Sequence, residues 1–225
     1  LQSHGITTGW AVKIYKEYGH RAIETVKSNP YRLEQDIRGI GFIIADQIAL
    51  NLGIAVDAPE RVEALIRYRL NKAAEDGHVY LLADHLCKEI SIKKEGAEKT
   101  VDISPDLIPS ALKTLCVDQA IYMEESRCYL PLFFHAEVGI DSSLRRLIQK
   151  EARKTLDFHK INEDLELAAE QQLAVELSVN NKVLLLTGGP GTGKTTVTKR
   201  ILQQYEANGL NVALCSHTGR AAKRL

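Results

Sequence analysis

An apolar segment, Val183-Leu184-Leu185-Leu186, runs through Thr187 straight into Gly188-Gly189-Pro190-Gly191-Thr192-Gly193-Lys194-Thr195. The second stretch fills the pattern G-x-x-x-x-G-K-[ST] of a phosphate-binding loop. No other feature restricts the fold as much, because such a loop works between a strand and a helix whose N-terminus faces the anion. Val183 to Leu186 are uninterruptedly apolar, which predicts a parallel strand buried on both faces and hence the start of an α/β core, with a helix opening near Gly193.

The chemistry of a polyphosphate accounts for the residue types. Several negative charges must be met by backbone N–H groups at close range, and Gly188, Gly189, Gly191 and Gly193 carry no side chain to block that approach. Lys194 supplies a point charge to the β and γ phosphates, and Thr195 offers a hydroxyl to Mg²⁺. The expected nucleotide site runs through Gly188, Gly189, Pro190, Gly191, Thr192, Gly193, Lys194, Thr195 and Thr196, with ATP and Mg²⁺ as ligands and Lys194 and Thr195 as the catalytic pair.

The 225 residues suffice for one large or two small domains, and 44% apolar with 26% charged residues is ordinary soluble usage. No segment approaches the roughly 18 apolar residues of a membrane span, and the start does not resemble a signal peptide. Cys87, Cys116, Cys128 and Cys215 form no C-x-x-C pair, which predicts reduced core thiols in a cytoplasmic protein that has no membrane partner. The net charge of zero conceals an uneven distribution. Seven Lys/Arg stand against Glu206 alone from Lys182 to Leu225, which favours a second anionic ligand besides the nucleotide, although a solvated basic helix face reads the same way. The chain begins at Leu1 and ends about 30 residues after the loop, so the carboxylate that would complete a Mg²⁺ site is expected later, in a longer protein.

Residues 1–56 contain two similar halves. Gly5-Ile6-Thr7 precedes a helical pattern with Trp10, Ile14, Tyr15 and Tyr18, and Gly39-Ile40-Gly41 precedes another with Ile43, Ile44, Ile48 and Leu52, closed by Gly53. A Gly-apolar-Gly hairpin bares consecutive backbone N–H groups that a DNA phosphate can accept without any reading of bases, so Gly5, Ile6, Gly39, Ile40 and Gly41 are candidate DNA contacts. An ordinary helix-packing unit fits the same pattern and stays open. Side-chain support would come from Lys13, Lys16 and Arg38.

Residues 57–131 read as a winged-helix-like helical module. A helix starts at Pro59 and ends at Gly77, with Val62, Leu65, Ile66, Leu70 and Ala73 inward. A second covers about Leu82 to Ile90, and a third opens at Ser104-Pro105. Ile121-Tyr122-Met123 and Cys128-Tyr129-Leu130 flank a short β-hairpin turn. Residues 132–165 read as a connecting helix, with Phe134, Val138, Leu144, Leu147 and Ile148 inward, followed by a linker. Residues 166–225 open the ATPase domain. The fold class is therefore multidomain, mainly α at first and then α/β.

In order, Asn-Pro-Tyr-Arg-Leu (29–33), Gly-Ile-Gly-Phe (39–42) with Ala45-Asp46, Leu-x-x-Glu-Gln-x-x-Ala-Val (167–175), the phosphate loop and Thr-Gly-Arg-Ala-Ala-Lys-Arg-Leu (218–225) resemble the RecD-like superfamily 1 DNA helicases. The similarity is to the bacterial RecD/TraA type that carries its own N-terminal helix-hairpin-helix domain. It implies a RecA-like ATPase that uses ATP hydrolysis to move 5′ to 3′ on single-stranded DNA and to unwind duplex junctions with a 5′ overhang, in repair or recombination. It also implies that Gln171 reads adenine, its amide both donating and accepting, and that Thr218, Gly219 and Arg220 touch the single-stranded backbone, delivered by a strand at Val212–Cys215. The family usually has Ala-Pro before that Thr, where this chain has Ser216-His217. Two rival readings are a non-enzymatic DNA-binding scaffold with a nucleotide-sensing loop and a nucleotide kinase carrying helical hairpins.

Overall fold

Helix α1 (Thr8–Tyr18) forms where Trp10, Ala11, Ile14 and Tyr18 recur at helical spacing and turn inward, with Ile14 fully buried. The structure, a computed structural model, describes residues 6–91, 103–150, 156–158, 167–216 and 219. It divides into two compact units, residues 1–138 and 139–225.

In the first unit a 3₁₀ turn at Gly19–Arg21 leads into α2 (Ala22–Ser28). Pro30 prevents α2 from continuing, and the Asn29 side chain accepts the Tyr31 N–H at 3.0 Å to hold the exit turn. The short α3 (Arg32–Asp36) then precedes the hairpin and α4 (Phe42–Asn51). At the end of α4, Gly53 takes φ +84° and the Ile54 N–H reaches back to the Ala49 carbonyl, a left-handed cap that favours glycine. Helix α5 (Pro59–Glu75) starts on Pro59, where no intrahelical N–H is needed, and buries Val62, Leu65, Ile66, Leu70 and Ala73 as its spacing requires.

Strand β1 (Tyr80–Leu82) and α6 (Ala83–Ser91) follow, then α7 (Leu107–Val117), β2 (Tyr122–Glu124) and β3 (Arg127–Tyr129). The sheet has the antiparallel order β1-β3-β2, with Tyr129 opposite both Tyr80 and Tyr122. The sequence reading missed β1, because a three-residue strand is too short to show a period and its partner is remote in the chain. Helix α7 opens later than expected because Ser104 and Pro105 form a turn, with the Leu107 N–H bonded to the Ser104 carbonyl. One apolar cluster runs from Ile6 to Cys128, so the sequence boundary at 56/57 crosses a continuous core. Tyr31, Asp46 and Arg61 tie that core together by hydrogen bonds.

Helix α8 (Pro131–Gln149) corrects part of one expectation: Phe134 is half-buried and stacks on Tyr122 at 4.6 Å, but Val138, Leu144, Leu147 and Ile148 are exposed. Its apolar stripe has the periodicity of a core helix, but a stripe is buried only where another element covers it. In the second unit α9 (Ala169–Asn180) and α10 (Lys194–Ala207) pack through Ala174, Val175 and Val197, with Leu186 and Ile201 alongside. The Tyr205 hydroxyl donates to the Ser178 carbonyl at 2.9 Å, and the Asn208 side chain pairs with both backbone groups of Asp157.

Two expected strands are corrected here. Neither Val183–Leu186 nor Val212–Cys215 is a strand, and Leu185 is 85% exposed. A strand exists through its ladder, and none of the described residues hydrogen-bonds to either segment in a sheet. Of the first segment Leu186 packs beside α9 and α10 and Leu184 is half-buried, while the rest of both segments is exposed. The thiols are free: Cys128 is buried, Cys87 and Cys116 are half-buried, and Cys215 is exposed, contrary to a core role for all four. Burial pushes the Cys128 thiol up to about 11. No helix among the described residues is long and apolar enough to cross a membrane.

Candidate functional site

The phosphate loop takes the backbone its glycines permit. Gly191 and Gly193 have φ +78° and +82°, in the left-handed region that side chains oppose. Thr192 clasps the loop by donating its hydroxyl to the Gly189 carbonyl at 2.9 Å. Lys194, the first residue of α10, folds back so that Nζ donates to the carbonyls of Gly188 and Gly189, both at 2.6 Å. The ammonium thus stands over the loop, held by oxygen acceptors of the kind a phosphate would provide.

Gly193 caps α10 without any side-chain hydrogen bond, and the first turn of α10 holds no acidic residue. That turn brings no negative side chain of its own to compete with an anion for its amides and dipole, so a polyphosphate fits it. Thr195 and Thr196 lie in that turn, Thr195 exposed and Thr196 half-buried. A threonine hydroxyl is the hard oxygen donor that Mg²⁺ prefers.

Of the two adjacent glutamines, Gln171 reaches the loop. Its Oε1 accepts the Ala168 N–H at 3.1 Å, and its Nε2 donates to the Thr192 carbonyl at 3.1 Å. Gln172 turns instead to Glu176. A glutamine amide has two N–H groups and two lone pairs, so one of each is left on Gln171 for a ligand. Gly193 and Gln171 depend on each other, because a Cβ at Gly193 would stand 2.5 Å from Gln171 Nε2.

The second candidate site is the hairpin between α3 and α4. The Ile40 N–H bonds to the Ile37 carbonyl at 3.0 Å, closing a turn in which Gly39 takes φ +94°. Ile37 and Ile40 are buried, while Arg38, Gly39 and Gly41 are exposed. Gly41 is the N-cap of α4 and makes no side-chain cap, and the first turn of α4 contains no acid. Lys13 lies across the Trp10 ring, 4.8 Å from its centroid, and its Nζ is 3.7 Å from where a Gly39 Cβ would stand. The turn thus offers uncapped amides with a cation beside them.

Ile6 is buried, so of the first expected hairpin it serves as core, and Gly5 lies outside the described residues. Thr218 and Arg220 also lie outside them, and Gly219 is exposed. Sequence reasoning missed the Tyr31–Asp46–Arg61 network. One signal for it was present: Arg61 stands four residues before Leu65, on the inward face of α5, where an unpaired charge could not remain.

A helix-hairpin-helix region joined in one chain to a phosphate loop with a docked glutamine defines a nucleotide-binding protein of the class that couples a phosphate loop to a second, helical binding module. Residues 1–80 match the family described as the ATP-dependent RecD2 DNA helicase HHH domain, and residues 171–225 match the AAA domain family. Over its whole length the chain is 30% identical to an ATP-dependent RecD2 DNA helicase of Deinococcus radiodurans, of which it covers 33%. A quarter of the chain is 46% identical to 11% of the RecBCD enzyme subunit RecD of Mycobacterium tuberculosis. The corresponding subunit of Buchnera aphidicola is 32% identical over 45% of the chain and 18% of its own length. Both matched ends and the full-length similarity relate the chain to the N-terminal part of RecD-like DNA helicases. It spans about a third of the length of the relative it matches from end to end.

Proposed function

We propose that this chain forms part of an ATP-dependent DNA helicase that moves 5′ to 3′ along single-stranded DNA and opens duplex junctions with a 5′ overhang, in repair or recombination in the cytoplasm. The observation that carries the reading is Lys194 held over the loop carbonyls at the N-terminus of α10, with Gln171 docked on the same loop. Gly188 to Thr196 hold the phosphates, and Gln171 offers its remaining donor and acceptor to the base. Thr195 holds Mg²⁺, which when bound neutralises charge on the phosphoryl oxygens. Lys194 adds a fixed positive charge where negative charge develops. Thr218, Gly219 and Arg220 contact the DNA backbone. Gly5, with Gly39 and Gly41, presents backbone amides to phosphates, while the Ile40 N–H is held by the Ile37 carbonyl.

The modules we propose are 1–56 and 57–131, which share one apolar core, followed by 132–165 and 166–225. The order α5, β1, α6, α7, β2, β3, with β3 central in the sheet, supports reading the second as a winged helix. Its hairpin tip carries Glu124 and Glu125, with Arg127 paired to both, which suits packing better than phosphate contact.

The test is Lys194→Ala in the whole protein, assayed for unwinding from a 5′ overhang beside a DNA titration at fixed salt. Unwinding should vanish while DNA affinity, supplied mostly by other phosphate contacts, falls little. Unwinding near the wild-type rate removes the motor reading. ATP binding without unwinding in the unmutated protein leaves the scaffold with a nucleotide-sensing loop.

A further inference from the structure

We propose that the groove beside the Gly39–Gly41 hairpin receives an unpaired nucleobase from a DNA strand whose phosphate lies on the amides at the start of α4. The inference rests on reading that hairpin as a phosphate contact, and adds what the attached base meets.

The groove, about 1050 Å³, lies between the start of α4, the helix α5 and the junction of β3 with α8. It reaches the upper end of ligand-pocket size, roughly 300–1,000 Å³. Gly41, Phe42 and Ile43 belong both to its lining and to the uncapped first turn of α4, so an anion held there has its attached group at the groove. Phe42 is buried in a stack between Tyr31 and Tyr68, at 6.1 Å and 4.8 Å, so the half-buried Tyr68 ends that stack and is the aromatic ring left accessible at the groove. Ile43 and Leu132 line the groove while 68% and 74% exposed.

Polar groups are few, and two of them, Lys72 and Glu75, pair with each other at 2.6 Å. Asn71 spends its Nδ2 on the Arg67 carbonyl, which leaves its Oδ1 as an acceptor. Glu34 also lines the groove, and its buried Oε2 has no hydrogen-bond partner, a desolvation that a base-edge N–H would offset. A ligand matching this surface carries an anion next to a flat, largely apolar ring with a few polar edge groups. A nucleotide has that combination, and Lys13 beside Gly39 supplies the charge for its phosphate. An apolar peptide would leave the amides and Lys13 unused. Since a base enters only when unpaired, the groove makes this region selective for single strands and forks over intact duplex.

The experiment uses the 225-residue chain with two oligonucleotides of equal length, oligothymidylate and its abasic counterpart, which carry the same phosphates. Wild type should bind the base-bearing strand roughly tenfold or more tightly than the abasic one, as base–aromatic stacking elsewhere provides. Ile43→Ser with Leu132→Ser, both at exposed positions, and separately Tyr68→Leu, should lose most of that ratio and keep abasic affinity. Circular dichroism checks that each variant is folded. A ratio unchanged in both folded variants, or near one in wild type, overturns the groove. Gly39→Val tests the hairpin separately: if it binds the abasic strand as tightly as wild type does, the phosphate reading falls and the groove with it. Self-association lost in the Ile43/Leu132 variant, with no change in the ratio, assigns the groove to a second copy of the chain.

Discussion

Arg61 grips both carboxylate oxygens of Asp46, Nε to Oδ1 at 2.7 Å and Nη2 to Oδ2 at 2.9 Å, while only 2% exposed. Its remaining Nη1 donates to the Val56 carbonyl at 2.8 Å, and the Tyr31 hydroxyl donates to Asp46 Oδ1 at 2.7 Å. One carboxylate on α4 thus orients an arginine from α5 and a tyrosine from the turn before α3. The α4 that begins at the hairpin is fixed from behind by this network.

Arg61→Ala should therefore cost far more than an ordinary surface change. It leaves Asp46, only 14% exposed, without its countercharge, a loss approaching the roughly 3–5 kcal/mol seen where a buried pair loses one partner. Exchanging both residues, Arg61→Met with Asp46→Leu, should recover most of that loss. Urea denaturation of the two variants makes the comparison; equal destabilisation by both would show that the ion pair itself, not the orphaned charge, sets the cost.

Tyr31 predicts a dependence on alkaline pH. Burial, and then the hydrogen bond to Asp46, raise its phenol well above the ordinary value of 10.0. The folded state therefore holds the proton more tightly than the unfolded state, so the stabilisation is complete below the unfolded value and is lost as pH rises beyond it. Stability should fall above about pH 10 more steeply in wild type than in Tyr31→Phe. Tyr18, raised by burial and by Asp36, contributes in the same direction, so Tyr31→Phe should flatten the curve only in part. Melting temperatures from pH 8 to 11 would read this, and parallel curves would contradict it.

The hairpin glycines should behave differently. Gly39 has φ +94°, so Gly39→Ala imposes a strained backbone costing about 1–2 kcal/mol. Gly41 has an ordinary negative φ, and a Cβ there meets nothing within 4 Å, so Gly41→Ala should leave stability nearly unchanged. Equal losses in chemical denaturation would contradict this assignment of roles within the turn.

How far the sequence announced all this depended on the range of the interactions. The buried stripe of α5, the left-handed Gly53 and Gly77, and the loop at Gly188 to Thr195 are local, since spacing and residue type determine them within a turn or two. Strand β1 and the Asp46–Arg61 pair depend on partners remote in the chain, which periodicity does not encode. Val183–Leu186 shows the opposite failure: its composition announced a strand buried on both faces, whereas Leu186 packs beside α9 and α10 and Leu185 stays exposed. For the candidate site, the identity of the loop was legible, whereas the clasp of Thr192 and the choice of Gln171 over Gln172 required coordinates.

The coupling of Gly193 to Gln171 gives the sharpest prediction about the nucleotide. A Cβ at position 193 would stand 2.5 Å from Gln171 Nε2 and 3.6 Å from its Cδ, and the backbone there is already at φ +82°. Gly193→Ala therefore carries two separable penalties, a clash that expels the glutamine and a strain that alters the loop. Gln171→Ala removes the clash and the bond to the Thr192 carbonyl together, with the loop backbone left in place. If Gln171 reads the base and the loop holds the phosphates, Gln171→Ala should weaken ATP severalfold and inorganic triphosphate hardly at all. Gly193→Ala should weaken both, and the double variant should bind ATP about as poorly as Gly193→Ala alone, because the glutamine is already displaced. Binding by fluorescent-analogue competition at fixed Mg²⁺ measures all four proteins. Additive losses in the double variant would show that the two residues act independently and that the contact between them does not matter to the ligand.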